Sequence, residues 1–160
     1  MILSGGEFSA ATTAHSITTL QAALRFARRW NLDVREVNTD QGTQFFSPSR
    51  GDKKGIPGKI YPHRTVFGQF LVNTGIRHVV SRRNNPQTNG KLERLWYEYD
   101  RHRWRFPTLG EFIDWHNDQI HDGLWLEQYE TPREAFQRKL PPEVLLGLHL
   151  HQIALLKAAA

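Results

Sequence analysis

The feature that most restricts the fold of this chain is the stretch at 76–96, IRHVVSRRNNPQTNGKLERLW. Its β-branched start predicts a strand, and a polar loop rich in Asn and Arg follows. A helix comes next, with apolar residues spaced three and four positions apart: Leu92, Leu95, Trp96 and Tyr99. A strand that leads through one loop into a helix is typical of α/β domains.

The preceding residues predict further alternation of strands and helices. The first ten residues, MILSGGEFSA, predict a short strand with a bulge or bend at its two glycines. A helix is expected from Thr12 or Thr13, and a strand at 33–40 follows it. A short helix is expected within 65–75, with Gly75 at its C-cap. The order predicts an α/β domain whose strands pair partly in parallel.

The remaining segments indicate an insertion and a helical C-terminal part. Residues 47–64 are rich in Gly, Pro and Lys and predict a loop or insertion. Two Thr-x-x-Glu capping boxes, Thr108 with Glu111 and Thr131 with Glu134, predict helix starts. Because 160 residues are too few for two comfortable domains, we interpret 106–160 as the C-terminal helical part of the domain that begins at 1–105.

Composition excludes several classes of protein. The chain has no cysteine, which excludes disulfides and thiolate metal sites. Its apolar C-terminal run is too short and too interrupted by His and Gln to span a bilayer, and nothing resembles a signal peptide. The prediction is a cytoplasmic protein with no membrane partner.

The charge of the chain is unevenly distributed. Residues 1–105 hold 17 basic and 8 acidic side chains, whereas residues 106–160 hold 4 and 8. Within 77–105 there are 8 basic and 3 acidic residues, interleaved with aromatic ones. This pattern predicts a nucleic-acid footprint. A solvated helix face with its aromatic side chains pointing inward explains it equally well.

Two carboxylates stand at positions where ligands bind in α/β folds. Asp40 lies at the end of a predicted strand, and Glu93 is expected to begin the helix that the next strand feeds. Carboxylates from separate elements are the ligands that Mg²⁺ and Mn²⁺ prefer. The alternative is that Asp40 only caps a turn and Glu93 is an exposed helical acid.

Three blocks in one order strengthen the catalytic interpretation: NTDQGTQF, then GIRHVVSRRNNPQTNGKLERLW, then HNDQIHDGLWLEQYETPREAF. Together they resemble the catalytic core of the DDE integrases and transposases, the retroviral-integrase-like family with a ribonuclease-H-like fold. The resemblance covers nearly the whole chain. It implies that Asp40 and Glu93 are the second and third catalytic acids, that they bind Mg²⁺ or Mn²⁺, and that the substrate is DNA.

The resemblance also implies that the loop before Glu93 contacts DNA and that Gly90 eases the chain into the helix. The residues expected to contact DNA are Arg82, Arg83, Asn84, Asn85, Gln87, Asn89, Lys91 and Arg94. Asn89, Glu93 and Tyr97 are four residues apart and are expected on one helix face.

The sequence departs from the family pattern in two ways. Between Asp40 and Glu93 lie 52 residues, more than the family pattern has, and the insertion at 47–64 accounts for the excess. No acidic residue before Asp40 matches the family's first catalytic Asp: Glu7 falls on the predicted second strand, and Asp33 and Glu36 fall on the strand of Asp40 itself. We therefore expect a ribonuclease-H-like mixed sheet flanked by helices, lacking its first strand, with extra C-terminal helices. Unpaired strand edges would then favour a homo-oligomer.

Two hypotheses of function follow. The first is an integrase-like or transposase-like recombination protein that cleaves and transfers DNA strands in its full-length form and is inactive as this chain. The second is a catalytically dead remnant that binds DNA or dimerises. Another ribonuclease-H-like nuclease is a third possibility, which the PQTNG loop disfavours.

Overall fold

The computed structural model describes residues 1–45, 65–81, 86–121, 124 and 128–158. At positions 86–89, 91, 148, 151, 152 and 154–156 it describes the backbone alone. The predicted insertion at 47–64 lies outside the described residues, as do four of the predicted DNA contacts: Arg82, Arg83, Asn84 and Asn85.

Helices and strands alternate in the first half of the described chain, and helices alone follow. The elements are α1 (Thr13–Arg29), β1 (Glu36–Thr39), α2 (Val66–Asn73), β2 (Arg77–Val80), α3 (Pro86–His102), a 3-10 turn (Arg103–Arg105), α4 (Leu109–Asn117), α5 (Pro132–Arg138) and α6 (Pro142–Ala158). The described residues are therefore mixed α/β, with three helices after the 3-10 turn. None of the helices within the described ranges is both long and apolar enough to cross a membrane.

The two strands form a parallel pair. Glu36 lies opposite Arg77 and Thr39 lies opposite Val80, so both strands end at the same edge of the sheet. Parallel pairing requires a crossover, and α2 lies within that crossover. The pair fits the expected parallel arrangement, but two strands are common to many α/β folds. The ribonuclease-H-like arrangement therefore stays a prediction.

Several helix ends form where the sequence predicts them. Thr12 caps α1 by accepting the His15 N–H, and Thr65 caps α2 by accepting the Gly68 N–H. Thr131 and Glu134 form a complete capping box at α5. Gly75 follows the end of α2 with φ of +71°, a left-handed conformation that glycine adopts without steric cost.

The principal core lies between α1, α2 and the sheet. Its centre is formed by Phe67 and Leu71 of α2 together with Ile76, all of them buried. Six partly buried side chains pack around this centre: Ile17, Leu20, Leu24, Val37, Phe45 and Phe70. The apolar faces of α1 and α2 thus cover one side of the strand pair.

A second, aromatic cluster joins α3 to α4. Phe112 of α4 is almost fully buried and contacts the rings of Tyr99, Phe106 and Trp115 at centroid distances of 5.6 to 6.0 Å. Edge and tilted contacts of this kind add to the burial of the rings. The cluster fixes the C-terminal end of α3 against α4.

The predicted strand at 1–10 is wrong, because no residue of that segment is in a strand. Its backbone bonds to a side chain instead: the Ile2 N–H donates to Asn117 Oδ1 at 2.7 Å, and Asn117 Nδ2 donates to the Ile2 carbonyl at 2.9 Å. Ser4 Oγ donates to the Thr19 carbonyl at 2.9 Å. A strand exists only as part of a ladder. Among the described residues the segment has no strand beside it.

Candidate carboxylate pair and nucleic-acid surface

Asp40 lies immediately after β1, as the sequence predicts, and its side chain is exposed. Its Oδ1 accepts the Gly42 N–H at 2.9 Å, which is the turn contact expected of an Asp that starts a loop. This contact uses one oxygen of the carboxylate. The capping role and a ligand role are therefore compatible at Asp40.

Hydrogen bonds tie the ends of the two strands together beside Asp40. The Ser81 N–H donates to the Thr39 carbonyl at 2.8 Å, and Gln41 Nε2 donates to the Ser81 carbonyl at 3.1 Å. Ser81 Oγ donates to Asn38 Oδ1 at 3.0 Å. The chain that leaves β2 toward α3 thus starts next to Asp40.

The prediction that Glu93 begins its helix is wrong. Helix α3 begins at Pro86, which places Glu93 in its third turn. Proline suits a first helical turn because its φ is fixed and it has no N–H to satisfy. Gly90 is therefore inside the helix and does not lead the chain into it. Glu93 itself is exposed, and no described residue bonds or pairs with its carboxylate.

The helix start also changes where three predicted DNA contacts lie. Gln87, Asn89 and Lys91 are positions of α3 and not of the preceding loop. Asn89, Glu93 and Tyr97 follow each other at intervals of four, so the shared face predicted for them fits the helix. The side chains of Gln87, Asn89 and Lys91 lie outside the described atoms, and their contacts with DNA stay predictions.

A cleft of about 690 Å³ lies between the principal core, formed by α1, α2 and the sheet, and the aromatic cluster of α3 and α4. One wall comes from α1, β1 and α2, with Leu20, Val37 and Phe67 among its side chains. The other wall comes from α3 and α4. Thr39 and Leu92, the residues directly before Asp40 and Glu93, both line this cleft. Asp40 and Glu93 themselves are not among the lining residues, and Asp40 points to the face opposite Thr39 because successive side chains of a strand alternate.

Glu7, the first acidic residue of the chain, is engaged by neighbouring groups. Its Oε1 accepts from Arg103 Nε and from the Tyr99 hydroxyl, both at 2.5 Å, and its Oε2 accepts from Arg103 Nη2 at 2.8 Å. The Arg103 guanidinium and the Tyr99 hydroxyl lower the pKa of Glu7. Sequence reasoning missed this network because its members are more than 90 residues apart.

The described residues do not complete a metal site. Among them, no group of three or more His, Asp or Glu side chains lies close enough to hold an ion. Asp40 and Glu93 supply carboxylate chemistry suited to Mg²⁺ or Mn²⁺, but hard cations take six or more oxygen ligands. The predicted Mg²⁺ or Mn²⁺ would need further ligands besides these two residues.

The arginines of α3 and the following turn differ in what surrounds them. Arg94 is exposed and has no ion pair with a described residue. Arg101 is also exposed, and its guanidinium lies over the Tyr97 ring at 5.2 Å. Arg105 lies over the Trp115 ring at 5.5 Å. Arg103 alone of these four is neutralised by a carboxylate. Arg94, Arg101 and Arg105 are therefore exposed cations on this part of the surface. Tyr97 and Trp104 are exposed on the same elements.

His116 lies near the end of α4, next to Asn117, whose side chain bonds to the backbone of Ile2. His116 forms a pair with His121. The rings of His116 and His121 are 4.8 Å apart. Burial, together with the charges of His121 and the N-terminus, lowers the pKa of His116 to about 4. His116 is therefore neutral at physiological pH, and its protonation would place a charge beside a buried anchor.

No family model matches this chain, and no solved structure matches it. The chain is 29% identical over 89 residues to a protein of Spiroplasma virus SpV1-C74 named "Putative integrase ORF3". The matched region is 55% of this chain and 23% of the viral protein, so the chain spans less than a quarter of that relative's length. This similarity supports an integrase-like relationship.

Proposed function

We propose that this chain is an integrase-like DNA recombination protein that binds DNA through α3 and the loop before it. The integrase-like relationship to the viral protein supports the class of function. The observation that carries the proposal is the placement of Asp40 at the carboxyl end of a parallel strand pair, beside the chain that leaves β2 toward the helix of Glu93. Ligand crevices of α/β folds lie at the carboxyl ends of parallel strands, where Asp40 stands.

The chemistry proposed for the full-length form is metal-dependent cleavage and transfer of DNA strands. In such reactions metal ions held by carboxylates stabilise the attacking and leaving oxygens of a phosphodiester. The resemblance implies three acids, whereas this sequence matches two of them. The ribonuclease-H-like fold and the Mg²⁺ or Mn²⁺ requirement belong to the same proposal. For this chain alone we propose DNA binding without cleavage.

The DNA-binding part is tested by the salt dependence of binding. Each phosphate contact contributes a slope of about −0.9 in log K against log salt concentration. Changing both Arg82 and Arg83 to Ala should weaken binding and flatten the slope by roughly 2. The matched control changes Arg28 and Arg29 to Ala, which removes the same charge from exposed positions at the end of α1. Equal effects of the two double variants would argue against the loop as the contact.

The catalytic part is tested by a nicking and strand-transfer assay with Mg²⁺ or Mn²⁺. The chain as given should be inactive, and a form extended with a strand that carries the missing Asp should be active. Glu93→Gln should abolish the activity of the extended form, because it replaces a charged ligand by a neutral one of the same shape. Cleavage by the short chain that Glu93→Gln abolishes would contradict the proposal.

The second candidate is a catalytically dead, DNA-binding or dimerising module. The contacts of Glu7 favour this candidate, since its carboxylate is bound by Arg103 and Tyr99 and is not available as a third ligand. The extended form decides between the candidates: if it binds DNA but never cleaves it, the module is the better description.

A further inference from the structure

A stripe of alternating cationic and aromatic side chains runs along one face of α3 into the 3-10 turn. Its members, separated by three, four and three positions, are Arg94, Tyr97, Arg101 and Trp104. This spacing places them above one another along a helix. All four side chains are exposed, Tyr97 at 57% and Trp104 at 79%. We call these four residues the Arg–aromatic stripe.

The Arg–aromatic stripe lies on a different face of α3 from the apolar cleft. The cleft is lined by four apolar or aromatic side chains of this helix: Leu92, Leu95, Trp96 and Tyr99. None of the four residues of the stripe is among the lining residues. A molecule or segment that fills the cleft would therefore meet another face of the helix and not the stripe.

Local contacts hold the stripe in one arrangement. Arg101 Nη1 donates to the Tyr97 hydroxyl at 2.8 Å, and Arg101 Cζ lies 5.2 Å from the centre of the Tyr97 ring. Trp104 Nε1 donates to the Arg101 carbonyl at 2.8 Å. Both rings are thus restricted in position while much of their surface stays exposed. Side chains that are already ordered lose less conformational entropy when a ligand binds to them.

The cations of the stripe have no carboxylate partners within the described ranges. Three acidic residues share the helix with Arg94 and Arg101, but no ion pair joins either arginine to Glu93, Glu98 or Asp100. Exposed arginines without a fixed carboxylate are available to an external anion. The guanidinium group matches the geometry of phosphate, which it can bind through two parallel hydrogen bonds.

We propose that the Arg–aromatic stripe binds single-stranded DNA. Unpaired bases stack on Tyr97 and Trp104, and Arg94 and Arg101 bind phosphates of the same strand. Proteins that bind single strands combine cations that follow the backbone with aromatic rings on which bases stack. This inference rests on the DNA binding proposed above, and it adds which form of DNA the C-terminal end of α3 takes.

The exposed rings favour a single strand over a duplex. In a duplex, proteins contact the phosphates and the edges of bases, because the base faces are stacked on one another. A duplex would therefore make no use of the faces of Tyr97 and Trp104. Protein interfaces also contain Tyr, Trp and Arg, but they place aromatic anchors in an apolar core. In the stripe, by contrast, each aromatic residue is followed or preceded by an arginine.

The first test measures binding of an oligothymidylate of about 16 nucleotides and of a duplex of the same length by fluorescence anisotropy. Changing Tyr97 and Trp104 together to Leu keeps apolar bulk but removes the flat rings. This Leu pair should weaken binding of the single strand by about 100-fold, at about tenfold per stacked base, and leave duplex binding unchanged. Changing both residues to Phe keeps a ring at each position and should weaken binding far less.

The matched control for the first test is Tyr129→Leu. Tyr129 is 70% exposed and lies outside the stripe, so this substitution should change neither affinity. Because Tyr97 and Trp104 are themselves exposed, the Leu and Phe pairs should keep the fold, which circular dichroism checks. Equal losses in the Leu and Phe pairs, or a loss in Tyr129→Leu as large as in the Leu pair, would overturn stacking on the stripe.

The salt dependence of binding separates phosphate contacts from stacking. Arg94→Gln and Arg101→Gln should each flatten the slope of log K against log salt concentration for the single strand by about 0.7. Tyr97→Phe with Trp104→Phe removes no charge and should leave this slope unchanged. A slope that neither arginine variant alters would overturn the phosphate contacts of the stripe.

The same measurements distinguish failure of this inference from failure of the proposed function. If the Leu pair binds the single strand as tightly as the wild-type chain does, the stripe is rejected and the proposed DNA binding stands. If the wild-type chain binds neither form of DNA, both are rejected. If the Leu pair abolishes a self-association of the wild-type chain with which neither form of DNA competes, the stripe is a protein interface and the inference is wrong.

Discussion

The two walls of the cleft show how differently one chain can treat its apolar residues. On the α1 wall, Leu20 and Val37 pack against a buried centre at Phe67 and Leu71. On the α3 wall, Leu92 and Trp96 are equally apolar but are about half exposed. In both α1 and α3, apolar residues recur at intervals of three and four positions. An amphipathic pattern therefore determines which face of a helix is apolar, but it does not determine whether another element covers that face.

The largest expected difference between the two sides of the cleft is in the free energy of unfolding that is lost when a leucine is replaced by alanine. Leu71 is 0% exposed, so Leu71→Ala should lower the free energy of unfolding by about 3 kcal/mol. Leu92→Ala removes the same atoms from a side chain that is 45% exposed and should cost less than about 1 kcal/mol. Urea unfolding monitored by circular dichroism measures both. Equal costs would mean that the α3 wall is covered in solution, by a second copy or otherwise.

The second prediction concerns the anchor that holds the N-terminal segment over the cleft. Asn117 is 2% exposed and makes two hydrogen bonds with Ile2. Asn117→Ala should cost about 2 kcal/mol, because the backbone groups of Ile2 lose their partners in a partly buried site. Hydrogen exchange should also become faster in residues 1–8 and remain slow in α2. Unchanged exchange in that segment would show that other contacts hold it.

A smaller effect is expected from pH. The pKa of His116 is lowered to about 4, so the unfolded chain, with an ordinary histidine pKa near 6.5, binds the proton more readily. Stability should therefore be fully present above about pH 6.5 and fall as the pH is lowered toward 4. Because the ring is only partly shielded from solvent, we expect a loss of roughly 2–4 °C in Tm from this residue.

The control for this prediction is His116→Gln, which cannot be protonated in that range. It should reduce the slope of Tm against pH between 4 and 6.5. Burial also lowers the pKa of His78, so part of the slope should persist in the variant. An identical slope in wild type and variant would assign the whole acid sensitivity to His78 and to other groups.

The smallest effect is expected from the outermost aromatic residue. Trp104 is 79% exposed, and its Nε1 donates to the Arg101 carbonyl at 2.8 Å. Trp104→Ala should change the free energy of unfolding by no more than about 0.5 kcal/mol. Thermal unfolding of Trp104→Ala measures this change. Trp115→Ala is the comparison, because the Trp115 ring packs against Phe106 and Phe112. A Trp104→Ala cost near that of Trp115→Ala would place Trp104 inside an interface.

Local signals in the sequence were sufficient for the packed region. The apolar spacing of α1, the β-branched run of β2 and Gly75 after α2 each specify local geometry, and the structure confirms them. Asp40 also lies at its predicted strand end. These predictions succeed because the residues that decide them lie within a few positions of one another.

The predictions that failed depend on distant residues or on competing local signals. The segment at 1–10 carries strand-like residues, but its partner is Asn117, which no local pattern indicates. The start of α3 was placed too late because Asn, Pro and Gly within 84–90 outweighed the helix-starting role of Pro86. That Glu7 binds Arg103 and Tyr99 could be found only once the chain had folded.

The bond between Ile2 and Asn117 also has a consequence for the order in which the molecule is made. The two residues are 115 positions apart, so the segment at 1–8 leaves the ribosome long before the residue that anchors it. Until α4 has been synthesised, Ile2 lacks the two bonds to Asn117 that fix it. Contacts between residues so distant in sequence slow folding, since the loop between them must close first. Nascent chains that end before α4 should therefore keep the segment at 1–8 accessible to chaperones.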